Sequence, residues 1–92
     1  MTEPITRTLT IVNEKGLHAR ASAKFVEVVE RFDAEAEVEK DGMSVCGDSI
    51  MGLLMLAASR GTEIRVSASG AQSDDLIKAL ADLVADKFGE PF

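Results

Sequence analysis

Four stretches of this chain alternate apolar and polar residues, and in each only one parity is apolar. That pattern belongs to strands with one face on a core and the other in water, not to a doubly covered parallel sheet. Residues 5–12 put Leu9 and Ile11 on one parity and Thr8 and Thr10 on the other. Glu35, Glu37 and Glu39 alternate outward against Ala36 and Val38. Met43 and Val45 take the inward parity of the third run, which leaves Cys46 outward. Residues 62–69 turn Ile64, Val66 and Ala68 inward and Glu63, Arg65 and Ser67 outward. The second and third runs are separated by Asp41-Gly42, a pair that tolerates the positive φ of a two-residue hairpin turn. The glutamate parity of residues 35–39 reads as a solvated outer face, and such charge would also keep an edge strand from aggregating.

Elsewhere the period lengthens to that of a helix. From Ala19 to Phe32 the residues Ser22, Phe25, Val26, Val29 and Phe32 fall at helical spacing on one face, with Lys24, Glu27 and Arg31 opposite. Val28 falls off the stripe and is expected to be exposed. Ser49 is placed to cap a short helix over Ile50–Ala57, a role worth about 1 kcal/mol. A last helix opens at Ser73-Asp74-Asp75, with Ser73 as its cap and the two aspartates at its positive end. Its stripe is Leu76, Ile77, Leu80, Leu83 and Val84, and Gly89 with Pro91 is expected to stop it. The order is β-α-β-β-α-β-α. This predicts an α+β fold, an open-faced β-sandwich whose four-stranded antiparallel sheet carries three helices on one face. At 92 residues the whole of 1–92 makes one small domain.

Composition removes several classes of function. Ten basic against sixteen acidic residues give a net charge of −6, which disfavours a general nucleic-acid binder. Four Phe and no Trp or Tyr leave little to stack bases on. A single Cys forms no internal disulfide, and one His with one Cys falls short of a structural zinc site. Met1-Thr2-Glu3-Pro4 lacks the features of an export signal, and no apolar run is long enough to span a membrane. A cytoplasmic monomer with no cofactor and no metal is the expectation.

The chemistry is concentrated around the one histidine. His18 stands between a glycine-containing strand exit and the first residue of a helix, where backbone N–H groups lack partners and the helix dipole is positive. Such an end attracts anions, and a neutral imidazole there is a nucleophile at physiological pH. Arg20 is placed to hold phosphoryl oxygens. Residues 15–26 contain Lys15, Arg20 and Lys24 and no acid, so this stretch carries +3 against −6 for the chain and −9 for the remainder. From position alone, His18 is equally well a capping or loop histidine. Around 49–56 the residues Ile50, Met51, Leu53, Leu54 and Met55 surround a short helix almost completely. One face must meet the sheet, and the other exposes some of Ile50, Met51 and Leu54 as a partner-docking patch, unless the helix is wholly buried. Cys46 reads as an ordinary strand residue. No carboxylate pair or serine–base couple points to hydrolysis.

At Lys15-Gly16-Leu17-His18-Ala19-Arg20 the chain resembles HPr, the histidine-containing phosphocarrier family of the bacterial phosphotransferase system. Gly47-Asp48-Ser49-Ile50-Met51-Gly52, the Asp-Gly hairpin and the order of elements match the family in position, so the resemblance covers essentially the whole chain. It implies that His18 takes a phosphoryl group on Nδ1 from the phosphohistidine of enzyme I and passes it to a histidine of an enzyme IIA domain. It further implies that Arg20 is the active-site arginine and that Ser49 is the regulatory serine phosphorylated in many members by HPr kinase/phosphorylase. Ile50, Met51 and Leu54 would form the docking helix, with Lys24 beside them. Ala21 departs from the proline common after the arginine, and Asp48 from a position basic in several relatives. Two roles follow: a phosphocarrier, as in sugar uptake, or a regulatory module of the same fold, as in the nitrogen-related branch, which docks partners through the helix under the control of Ser49.

Overall fold

The first strand, β1 (Ile5–Thr10), leads through a loop into helix α1 (Ala19–Glu30), and β2 (Glu35–Lys40) and β3 (Met43–Cys46) follow as a hairpin. Helix α2 (Ile50–Met55), strand β4 (Glu63–Ser69), helix α3 (Ser73–Ala85) and a 3-10 turn at Lys87–Gly89 complete the chain. The computed structural model describes residues 3–92; Met1 and Thr2, which begin the N-terminal segment read above, lie outside the described residues.

The four strands form one antiparallel sheet in the order β1-β4-β2-β3. The inner face is the expected one: Leu9, Val38, Ile64, Val66 and Ala68 are buried, joined by Ile11 just past the end of β1. Each of the leucine, isoleucine and valine side chains contributes about 1.5–3 kcal/mol by leaving water. On the open face Thr6 meets Ser67 and Arg65 reaches Glu39 across the strands, at 3.1 and 3.4 Å. The glutamates of β2 do face solvent, but β2 is an inner strand between β4 and β3, so edge protection is not their task. At the hairpin Asp41 and Gly42 take φ of 51° and 83°, the two positive values that a tight turn of this type needs.

The helices cover the other face, and local departures from the periodic reading have local causes. Val28 is buried, not exposed: α1 packs against α2, α3 and the 3-10 turn, so it is covered on more sides than a one-stripe helix. Met43 has the inward parity yet is 43% exposed, because it sits at the hairpin end of the edge strand β3. Ser73 is buried within the first turn of α3 and Gln72 holds the cap position, with no side-chain capping bond. α3 ends at Ala85, before Gly89, and the chain turns through Lys87 and Phe88 at φ of 58° and 56°. That reversal sends Phe88 fully into the core and brings the last residues back over the start of α1.

Candidate functional site

The loop between β1 and α1 is fixed by backbone geometry before any functional side chain is placed. Gly16 lies at φ of 67°, and a Cβ there would stand 2.4 Å from the Ala58 carbonyl oxygen. Only glycine allows that approach. The same carbonyl accepts the Leu17 N–H at 2.9 Å, and Ser22 closes the helix start by donating its hydroxyl to the Leu17 carbonyl at 3.2 Å. His18 is thereby held at the N-cap of α1, in extended backbone at φ −76° and ψ −177°.

The capping reading of His18 holds. It is a capping histidine: Nδ1 accepts the Arg20 backbone N–H at 3.3 Å, a long and weak bond. It is also partly exposed, with 28% of its side-chain surface in solvent. The helical ladder starts with the Ser22 N–H on the His18 carbonyl at 2.8 Å, so the amides of Ala19, Arg20 and Ala21 lie ahead of it. Nδ1 therefore carries a lone pair next to a set of amide donors.

The other ring nitrogen has a partner that sequence reading missed. Nε2 donates to the carboxylate of Glu90, which also accepts from Asn13 Nδ2 at 2.9 Å. Asn13 is fully buried and gives its other amide hydrogen to the Gly16 carbonyl at 2.8 Å, so two acceptors fix the orientation of its amide. Further bonds tie the tail down. Lys24 Nζ donates to the Phe88 carbonyl at 2.6 Å, and the Glu14 N–H to the Phe92 carbonyl at 3.1 Å. Nothing in the periodicity of residues 86–92 signals this. Glu90 follows a helix stop, and its partners lie 72 and 77 residues away.

Burial pushes the Glu90 carboxyl up, but the hydrogen bonds from Asn13 and His18 and the charges of His18 and Lys15 outweigh it and hold the group below its ordinary 4.5. A carboxyl depressed in the folded state stabilises that state above its ordinary value and ceases to as pH falls through the folded value. The tail contacts are expected to be complete above about pH 4.5 and to loosen in more acidic solution. Amide shifts of Glu14 and Glu90 that stay constant through an acid titration would contradict this.

His18, Arg20 and Lys15 share a hollow of about 550 Å³ with Glu90, Pro91 and Phe92 of the tail. Arg20 is exposed and, among the described residues, makes no ion pair. A free guanidinium, an ammonium, three amides and an imidazole lone pair suit a small tetrahedral anion.

Ser49 and the docking residues lie on a second element. Ser49 caps α2, its Oγ accepting the Gly52 N–H at 3.0 Å. Ile50, Met51 and Leu54 are 40, 72 and 37% exposed while Leu53 is fully buried, so the short helix does present an apolar face. Met55, at 65%, extends that face beyond the residues expected. α2 packs beside α1, and Lys24 of α1 has its ammonium engaged by the tail.

Comparison with known proteins identifies the family. The family model described as the PTS HPr component phosphorylation site matches residues 5–86. The chain belongs to the HPr family. The phosphocarrier protein HPr of Neisseria meningitidis is 45% identical, with 91% of this chain and 94% of that protein covered. The crystal structure of HPr-C-His from Thermoanaerobacter tengcongensis superposes with a TM-score of 0.91 at 42% identity, covering 96% of this chain and 99% of that one. An HPr dimer from the same organism is also similar, with a TM-score of 0.75 at 43% identity and 98 and 100% of the two chains covered. Like these relatives, the chain is a phosphocarrier of the phosphotransferase system. No helix among its described residues is long and apolar enough to cross a membrane.

Proposed function

We propose that His18 is the phosphoryl acceptor, that it is charged by the phosphohistidine of enzyme I, and that it discharges to a histidine of an enzyme IIA domain. The observation that carries this reading is the orientation of the ring. Nδ1 is unprotonated, its lone pair held only by the long bond from the Arg20 amide at the start of α1, in a hollow that also contains Arg20 and Lys15. In the uptake step that lone pair forms the new N–P bond, and the electrons of the donor's N–P bond return to the donor's ring nitrogen. The weak cap bond from the Arg20 amide gives way, and the amide is freed for a phosphoryl oxygen. Arg20 compensates charge on the other oxygens. The site is open to solvent, with Arg20 exposed and His18 partly so, which weakens these contacts and suits a carrier that must release what it accepts.

Enzyme I and enzyme IIA would dock in turn on the exposed face of Ile50, Met51 and Leu54, on the helix that packs beside α1, through small, fast interfaces. Ser49 fits a regulatory role for the same reason. A phosphate on its hydroxyl would put about two negative charges at the edge of that apolar face and weaken docking. The purely regulatory module is the weaker reading, since such a module has no use for a histidine so oriented. Incubation with enzyme I and phosphoenolpyruvate should give an acid-labile, base-stable phosphoprotein, and His18→Ala should abolish it. Undiminished labelling of the variant would overturn the assignment.

A further inference from the structure

Each ring nitrogen of His18 has one fixed partner of opposite kind. The Arg20 backbone N–H offers Nδ1 a donor, so Nδ1 must be unprotonated to receive it. The Glu90 carboxylate offers Nε2 only acceptors, so Nε2 must carry the hydrogen. The two contacts come from different elements, the first turn of α1 and the C-terminal tail, and both select the same tautomer. That tautomer is the one with a nucleophilic Nδ1.

We propose that Glu90 is a positioning residue for phosphoryl transfer, acting through Nε2–H to keep the Nδ1 lone pair free and to balance the ring's positive charge once Nδ1 is phosphorylated. The inference rests on His18 being the phosphoryl acceptor. When Nδ1 bonds to phosphorus and Nε2 keeps its hydrogen, the imidazole becomes a cation, and a cationic ring is the better leaving group in the next transfer. A carboxylate on Nε2–H favours that form without removing the proton. The same carboxylate is itself held in place. Its second oxygen accepts from buried Asn13, and Lys24 and Glu14 anchor the chain on either side through the carbonyls of Phe88 and Phe92.

Glu90→Gln is a sharp test because a carboxylate can accept from Asn13 and His18 together, whereas an amide accepts at one end only. If its oxygen stays on Asn13, its NH₂ faces Nε2 and favours the opposite tautomer. Nitrogen-15 NMR of the free protein reads the tautomer, and rapid-mixing kinetics with phosphorylated enzyme I reads uptake. Glu90→Gln is expected to move hydrogen from Nε2 to Nδ1 and to slow uptake about ten- to a hundredfold, the loss typical when the hydrogen-bond partner behind a metal-bound histidine is removed. The thermal midpoint should shift little, and Glu90→Asp should recover part of the rate. An unchanged tautomer with uptake within twofold of the parent would overturn the role of Glu90 and leave His18 as the acceptor. A parent protein that takes up no phosphate would overturn both, and the two failures differ in whether the parent is labelled.

Discussion

Gly16→Ala is expected to remove both the stability of the β1–α1 loop and the ability of the protein to accept phosphate. The new Cβ would occupy space 2.4 Å from the Ala58 carbonyl oxygen, and the residue would still have to hold φ of 67°. The left-handed backbone costs a non-glycine residue roughly 1–2 kcal/mol, and relieving the overlap costs about 1–3 kcal/mol more. Against a total stability of about 5–15 kcal/mol that is a large loss. The displaced group is also the acceptor for the Leu17 N–H, so the shift is passed directly to His18, one residue on. Gly42→Ala is the control. Gly42 has φ of 83° but nothing within 4 Å of its Cβ position, so only the backbone penalty should appear. Denaturant unfolding of the two variants separates the terms. Equal losses would mean that the close approach at Ala58 does not constrain the loop.

Phe88→Ala is the second large effect. Phe88 is fully buried although it lies beyond α3, in a 3-10 turn that packs against α1 and α3. Truncating a buried phenylalanine costs about 3–5 kcal/mol, which in a domain of this size lowers the thermal midpoint by well over about 10 °C. The loss should reach the functional site as well. The Phe88 carbonyl is the acceptor for Lys24, and Glu90 follows two residues later. With its anchor gone the tail should exchange its amide hydrogens faster and let go of His18. Calorimetry with hydrogen exchange at Glu90 measures both. A destabilised variant in which Glu90 stays as protected as in the parent would show that the tail is held by its polar contacts alone.

The sheet was legible because period-two patterning depends only on neighbours in sequence, and each strand here buries one face. The Asp41-Gly42 turn was legible for the same reason. Val28 and Met43 were misread because their burial depends on what packs beside the element: three neighbours around α1, and open solvent past the end of β3. Half of the site was readable in the run from Lys15 to Arg20, where the histidine, its arginine and the helix start are contiguous. The other half, Asn13 and Glu90, was not. A buried asparagine at a strand exit and a glutamate between glycine and proline look like loop residues until the tail folds back over α1. Contacts across more than seventy residues leave no periodic trace.

The most direct measurement is of the nitrogen that carries the phosphate. Protein labelled with nitrogen-15 in its only histidine, charged by enzyme I and phosphoenolpyruvate and observed by phosphorus and nitrogen NMR, should show phosphorus coupled to Nδ1 of His18, with Nε2 unsubstituted. Phosphate on Nε2, or on any residue other than His18, would contradict the mechanism drawn from this ring and its two partners.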